Sequence, residues 1–444
     1  MNYLVVNSCM SAVELEENVC YHEFKVVCSM NNRVKIGEDN PAIQRIEEKC
    51  INCGVCLNTC ENKLGLNRQC RLDSGKTCVF CGQCVLTCPM GALKEKYSYK
   101  SVLNILNDTD KVVTISIAPA VRVSLGEELG ISDSKVMEEL LPSIFRKMGF
   151  SYVFDVTFGA DVTIMEEASE LVNRLRLGGA LPMFTSCCPS WVRYLKMEHP
   201  ELVQNLSTTK SPIGIISSLI KSYFKDMDGI EKDIISVVVA PCTAKKWEII
   251  NTDTDYVITT RELALMIKEL EIDIPSLKPS KFDILLGEGS KMGLLFGRSG
   301  GVMESALATV NYLLTGNTVE EGHFNVEAEN GLGEASFKIG EKIIKVAVVS
   351  GLANINKIIK EKEKYDFIEV MNCQGGCVGG GGQPLTVNKE ADLRLSERTS
   401  KLESHEERSI YPYENLAIKE LYKSFLISPN SEIAENLLHN AHNF

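Results

Sequence analysis

From Lys111 onward, short apolar runs rich in β-branched residues alternate with segments of helical periodicity. The runs are VVTISIAP (112–119), YVFDVT (152–157), LPMFT (181–185), IISVVVAP (234–241), DYVITT (255–260), IIKVAVVSG (343–351) and DFIEVMN (366–372). They are nearly continuous in apolar residues, the pattern of strands covered on both faces, and amphipathic stretches such as Thr163–Arg176 and Arg261–Leu270 separate them. This predicts an α/β domain over 101–444 with largely parallel sheets. A short strand-prone lead (1–40) and a cysteine-rich block (41–100) precede it, and the charged, helical stretch 385–444 is expected to wrap around it. Three runs end directly in cysteine motifs: LPMFT in Cys187–Cys188, IISVVVAP in Cys242 and DFIEVMN in Cys373. Ligands of open α/β sheets gather at the carboxyl ends of strands, so these distant cysteines are expected to converge on one cleft.

Charge and cysteine usage narrow the function. A net charge of -12 over 444 residues argues against nucleic-acid binding and favours partners with basic patches. The first residues, MNYLVVNSCM, lack the basic-then-apolar form of a signal peptide, and no run of apolar residues is long enough to span a membrane. The 17 cysteines cluster in Cys-x-x-Cys runs rather than being scattered, which points to metal ligation in a reducing cytoplasm. The expected location is therefore cytoplasmic, and the expected chemistry oxygen-sensitive.

Eight cysteines form two runs, Cys50-x2-Cys53-x2-Cys56-x3-Cys60 and Cys78-x2-Cys81-x2-Cys84-x3-Cys88-Pro89. This is the spacing of bacterial two-cluster ferredoxins, in which the fourth cysteine of each run ligates the other cluster. One 4Fe-4S cubane would take Cys50, Cys53, Cys56 and Cys88; the other would take Cys78, Cys81, Cys84 and Cys60. Zinc sites are the competing reading, but they rarely repeat three close cysteines with a crossed fourth. Glu61 stands where a proline usually follows the first run, and the spacer between runs is long. The block is expected to carry electrons as a small α+β ferredoxin-like domain.

Downstream, TSCCPSW (185–191), APCTAKKWE (240–248) and EVMNCQGGCVGGGGQP (369–384) occur in that order. They resemble the three signature motifs of iron-only ([FeFe]) hydrogenases, and the resemblance extends from Lys111 onward. It implies two lobes of largely parallel sheets flanked by helices. It also implies an H-cluster: a 4Fe-4S cubane on Cys188, Cys242, Cys373 and Cys377, bridged by Cys377 to a two-iron subsite with carbon monoxide, cyanide and a dithiolate. Cys187 would pass protons to the dithiolate bridge as a general acid–base thiol. Lys245 would set an ammonium beside a cyanide, Glu248 would pair with a nearby cation, and Ser211, Pro212 and Met371 would line the cofactor. Glu167, Glu170 and Arg174 share one helix face. The resemblance makes them a proton relay running from Arg174 through Glu170, Ser207 and Glu167 to Cys187.

Four positions depart from the best-known members of that family. Ala240 replaces a methionine, Ser190 a glycine, Ile213 a glutamine and Asn372 an alanine, whereas Met371 matches. Such neighbours tune potential and solvent access more readily than they abolish ligation. Cys9, Cys20, Cys28 and Cys70 show no cluster spacing, His439 and His442 share a helix face without further ligands, and GRSGG (297–301) is no phosphate loop. The expected function is reversible reduction of protons to molecular hydrogen. A ferredoxin or flavodoxin would exchange electrons, and separate maturation proteins would supply the two-iron subsite. Two alternatives stay open: a hydrogen sensor using the same cluster, and a non-catalytic iron–sulfur assembly factor.

Overall fold

The computed structural model describes residues 33–66 and 78–440, apart from 132, 251, 285, 386–389 and 405–408. Cys9, Cys20, Cys28, Cys70, His442 and most of the lead 1–40 lie outside the described residues. The described cysteines are all free thiols, and no helix among the described residues is long and apolar enough to cross a membrane.

In the cysteine-rich block, β1 (Ile43–Arg45) and β2 (Leu93–Glu95) pair antiparallel, Ile43 opposite Glu95, and bracket both runs. The runs share one backbone trace. The residue before the second cysteine (Asn52, φ 54°; Phe80, φ 61°) and the glycine after it (Gly54, φ 84°; Gly82, φ 73°) are left-handed. Glycine adopts this region without steric cost, and the resulting curl turns the Asn52 and Phe80 amides onto the sulfurs of Cys50 and Cys78.

Two four-stranded sheets form the larger part. In the first, β3 (Lys111–Ile117), β4 (Tyr152–Asp155), β6 (Asp233–Ala240) and β7 (Tyr256–Thr259) run parallel in the order β4-β3-β6-β7. The second is ordered β5-β10-β9-β8, with β5 (Met183–Phe184), β9 (Lys342–Ser350) and β10 (Phe367–Met371) parallel. The seven apolar runs correspond to the seven parallel strands, and β10 is buried at every position. The eighth strand, β8 (Leu332–Ile339), is an antiparallel edge joined to β9 by a hairpin at Gly340 (φ 59°). Its alternating, half-exposed LGEASFKI lacks the continuous apolar run that marks the others; the alternation followed by glycine was the available signal.

The helix Val156–Leu177 follows β4, begins on Asp155 as its N-cap, and is buried for most of its first sixteen residues. Beyond Pro384, the helices Ala391–Glu403, Leu416–Leu421 and Glu432–Leu438 cross the outside of the lobes. Arg398 reaches Glu127 at 2.6 Å, the Asn415 amide donates to Asp161 at 3.0 Å, and the Leu438 carbonyl accepts from the Lys210 amide at 2.8 Å.

The cysteine-rich module is wedged against the cavity side of the lobes. Arg261 donates to both carboxylate oxygens of Glu95, at 2.9 and 2.8 Å, with both side chains nearly buried. The Arg193 guanidinium lies 4.2 Å over the Phe80 ring, and Thr243 Oγ1 donates to the Phe80 carbonyl at 2.6 Å. A Cβ on Gly381 would stand 2.0 Å from the Cys81 carbonyl oxygen, so only glycine permits this approach.

Candidate active site

The carboxyl ends of β3, β6 and β10 and the loop after β5 open onto one largely apolar cavity of about 820 Å³. Cys187, Cys188, Cys242, Cys373 and Cys377 all line it, together with Lys245, Pro212 and Met371. Burial raises the pKa of all four candidate ligand thiols; that of Cys377 is pushed up to about 12, with Cys188 and Cys242 adding to the effect. Cys188 is also the N-cap of the helix Pro189–Glu198 and takes backbone amides from Asn372, Trp191 and Ser190. A thiolate there is favoured by those donors. Among the described residues no three His, Cys, Asp or Glu side chains close to single-ion spacing. Buried thiols spread around a roomy cavity fit a polynuclear iron–sulfur group, whose positive iron would compensate thiolates that burial otherwise disfavours.

Among the other eight cysteines, Cys50, Cys53, Cys56 and Cys88 share a recess of about 340 Å³ near the surface. Cys60 lies close enough to Cys78 and Cys56 for their charges to raise its pKa, and Cys84 feels Cys60, Cys81, Cys78 and Cys56. Cys81 in turn lies close to Cys373 in the main cavity.

Lys245 Nζ is fixed by three partners: the Cys187 carbonyl at 3.0 Å, Ser211 Oγ at 2.9 Å and Glu248 Oε2 at 2.6 Å. Burial alone would lower its pKa, but the Glu248 carboxylate outweighs that and keeps it cationic. The cation expected near Glu248 is thus Lys245 itself. Ser211 is the N-cap of the helix Pro212–Leu219, which sets Pro212 in the cavity wall.

On the helix Val156–Leu177, Glu170 accepts from Arg174 at 2.6 Å through Oε1, and from Ser207 Oγ at 2.8 Å and the Thr208 amide at 3.0 Å through Oε2. Ser207 also bonds Glu167. Burial, then the Glu170 charge, pushes the Glu167 carboxyl up to about 8. Burial and the Glu167 charge hold the Cys187 thiol well above its ordinary range. Arg174 is anchored by the Ala180 and Leu206 carbonyls at 2.9 and 2.7 Å. Arg174, Glu170, Ser207, Glu167 and Cys187 therefore lie in one chain ending at the cavity.

A second set of groups had no signal in the sequence. Glu166 lies beside Glu167 on the chain yet accepts from Tyr422 Oη at 2.7 Å and the Asn430 amide at 2.6 Å, and meets His439 Nε2 at 3.1 Å. His439 Nδ1 contacts Thr208 Oγ1 at 2.8 Å. His439 follows its helix as the C-cap rather than sharing a face of it, and both ring nitrogens are engaged. Glu166 carries no spacing cue, because its side-chain partners lie more than 250 residues away. Two family departures also acquire contacts: Ser190 Oγ donates to the Val79 carbonyl at 2.9 Å, and Asn372 faces the sulfur of Cys373. Ala240 and Ile213 form cavity wall.

Residues 111–381 match the model of the iron-only hydrogenase large subunit, C-terminal domain; 392–443 match the iron hydrogenase small subunit, and 76–94 a 4Fe-4S binding domain. This chain belongs to the iron-only hydrogenase family. It is 38% identical over 432 residues to iron hydrogenase 1 of Clostridium pasteurianum, covering 88% of this chain and 74% of the relative. It is 38% identical to the NADP-reducing hydrogenase subunit HndD of Solidesulfovibrio fructosivorans, covering 90% and 74%. A solved [FeFe]-hydrogenase HydA1 from Chlamydomonas reinhardtii superposes with a TM-score of 0.69 at 34% identity, covering 77% of this chain and 98% of that one. Cytosolic iron–sulfur assembly factors also match at lower identity, 31% for that of Danio rerio. The protein is a hydrogenase whose cofactors are 4Fe-4S iron–sulfur clusters and the H-cluster. The small-subunit match falls on the terminal helices, which sequence reading had credited with no more than wrapping.

Proposed function

We propose that this chain reversibly reduces protons to molecular hydrogen in a reducing cytoplasm, with a ferredoxin or flavodoxin exchanging electrons through the 41–100 domain. Two 4Fe-4S clusters would be held there, one by Cys50, Cys53, Cys56 and Cys88 and one by Cys78, Cys81, Cys84 and Cys60. Cys188, Cys242, Cys373 and Cys377 would hold the cubane of the H-cluster, Cys377 bridging to the two-iron subsite that maturation proteins supply. When bound, the H-cluster supplies the redox-active iron at which protons and electrons combine. Cys187 Sγ would hold the proton to be delivered, and its raised pKa favours the protonated thiol. Glu167, with a carboxyl near 8, exchanges protons at neutral pH with little driving-force penalty. Ser207 Oγ can accept from one carboxyl while donating to the other, which suits it to pass a proton between Glu167 and Glu170. Arg174 holds Glu170 in place at the outer end. Lys245 keeps a fixed positive charge at the wall, while Ser211, Pro212 and Met371 shape it.

One observation carries this reading: the side-chain proton chain ends at the cavity onto which the four candidate ligand thiols converge. That arrangement favours catalysis over a purely structural cluster, and so over the assembly-factor alternative. The test is anaerobic production with maturation proteins. Infrared bands of iron-bound carbon monoxide and cyanide, and hydrogen evolution from reduced ferredoxin, are expected. Cluster-loaded protein without those bands would overturn the site assignment. Hydrogen evolution from a nicotinamide nucleotide but not from ferredoxin would overturn the partner.

A further inference from the structure

Asn372 directly follows β10 and is wholly buried. Its Nδ2 stands 3.6 Å from Cys373 Sγ, a normal separation for a sulfur acceptor. The Asn372 backbone amide serves Cys188. Its Oδ1 is buried with no hydrogen-bond partner. An iron-bound thiolate only accepts, so the nitrogen must face the sulfur and the oxygen is left orphaned. An orphaned buried carbonyl is destabilising, and an apolar side chain would avoid it; packing alone therefore does not account for the asparagine. From the module side, Gln83 Nε2 donates to Cys373 Sγ at 3.2 Å and to the Gly379 carbonyl at 2.7 Å. Cys373 thus meets two amides, one from each side of the boundary.

We propose that Asn372 is a positioning residue for the Cys373-ligated cluster, its amide raising that cluster's potential. The proposal rests on the cluster assignment above. A hydrogen bond to a cluster thiolate stabilises the more negative, reduced state and raises the potential.

The test is a redox titration of the holoprotein followed by electron paramagnetic resonance, with iron content and cluster signals checked first. Asn372→Ala is expected to move the Cys373-ligated cluster to more negative potential. The shift is on the order of tenfold in the oxidised-to-reduced ratio at a fixed potential, about 59 mV for one electron. The outer cluster on Cys50, Cys53, Cys56 and Cys88 should stay in place. Gln83→Leu should move the same cluster, and Asn372→Ser, which keeps a donor, should recover part of the shift. Should the alanine variant fail to load, Asn372→Leu, closer in volume, decides. An unchanged potential of that cluster in a loaded variant, or an equal shift of all three clusters, would overturn the proposal. Failure of the unmodified protein to show these cluster signals would instead overturn the assignment beneath it.

Discussion

At the outer end of the ferredoxin-like module Cys53 is exposed, and a hydrogen bond from Arg33 holds the Cys50 thiol below its ordinary range. In the catalytic cavity none of the four candidate ligand thiols is exposed, and burial drives every one of them up. The outer set comes from one short stretch plus Cys88, and water and Arg33 can stabilise its charge. The inner set comes from three motifs nearly 190 residues apart at the extremes, and a bound iron group would offset its charge together with Lys245 and the backbone amides on Cys188. A site at the surface suits electron entry, since a partner can approach it. A site walled by apolar side chains suits proton chemistry, since a defined side-chain path can deliver each proton.

The comparison breaks first at Cys187. Cys187→Ala should lower hydrogen turnover by about 10²–10⁴-fold, the range of a lost general acid–base group, while the cluster spectra persist. Full turnover in that variant would mean that protons reach the cavity without it. Next comes the seam between the two regions. Glu95→Ala leaves the nearly buried Arg261 without its carboxylate, and should destabilise the fold by about 3–5 kcal/mol, read by chemical denaturation. Turnover with ferredoxin should fall further than turnover with a small reducing dye that bypasses the module.

Glu167 sharpens the contrast through pH. Its folded value of about 8 lies above the ordinary 4.5, so between those values the folded chain binds a proton that the unfolded chain has released. Its contribution is therefore fully present below pH 4.5 and lost as pH rises through about 8. Denaturation curves of the apoprotein should show stability falling across that window more steeply than in Glu167→Gln; equal slopes would refute the burial argument. Hydrogen evolution in the unmodified holoprotein should likewise decline above pH 8, as Glu167 loses its proton. The smallest effect belongs to Ser190→Gly, which removes the bond to Val79. Thermal unfolding should register a loss of about 0.5–1.5 kcal/mol, with the cavity thiols undisturbed.

Local pattern determined much of this protein. The parallel strands were legible because burial on both faces demands continuous apolar runs, and the ferredoxin-like ligands because three closely spaced thiolates and a crossed fourth are a short-range geometry. Cys188, Cys242 and Cys373 were legible as strand-end residues, since a parallel sheet carries its loops to one edge. Tertiary structure alone decided the rest. β8 was hidden by its half-exposed face. Glu166, Tyr422 and His439 act through partners far away in the chain, for which no periodicity exists. Ser190 and Asn372 read as cavity neighbours, yet folding turned one to the Val79 carbonyl and the other to the Cys373 sulfur. Spacing along a chain records only contacts made within a turn or a strand. Which buried charges face one another depends on how the lobes and the module close, and that is written across the whole molecule.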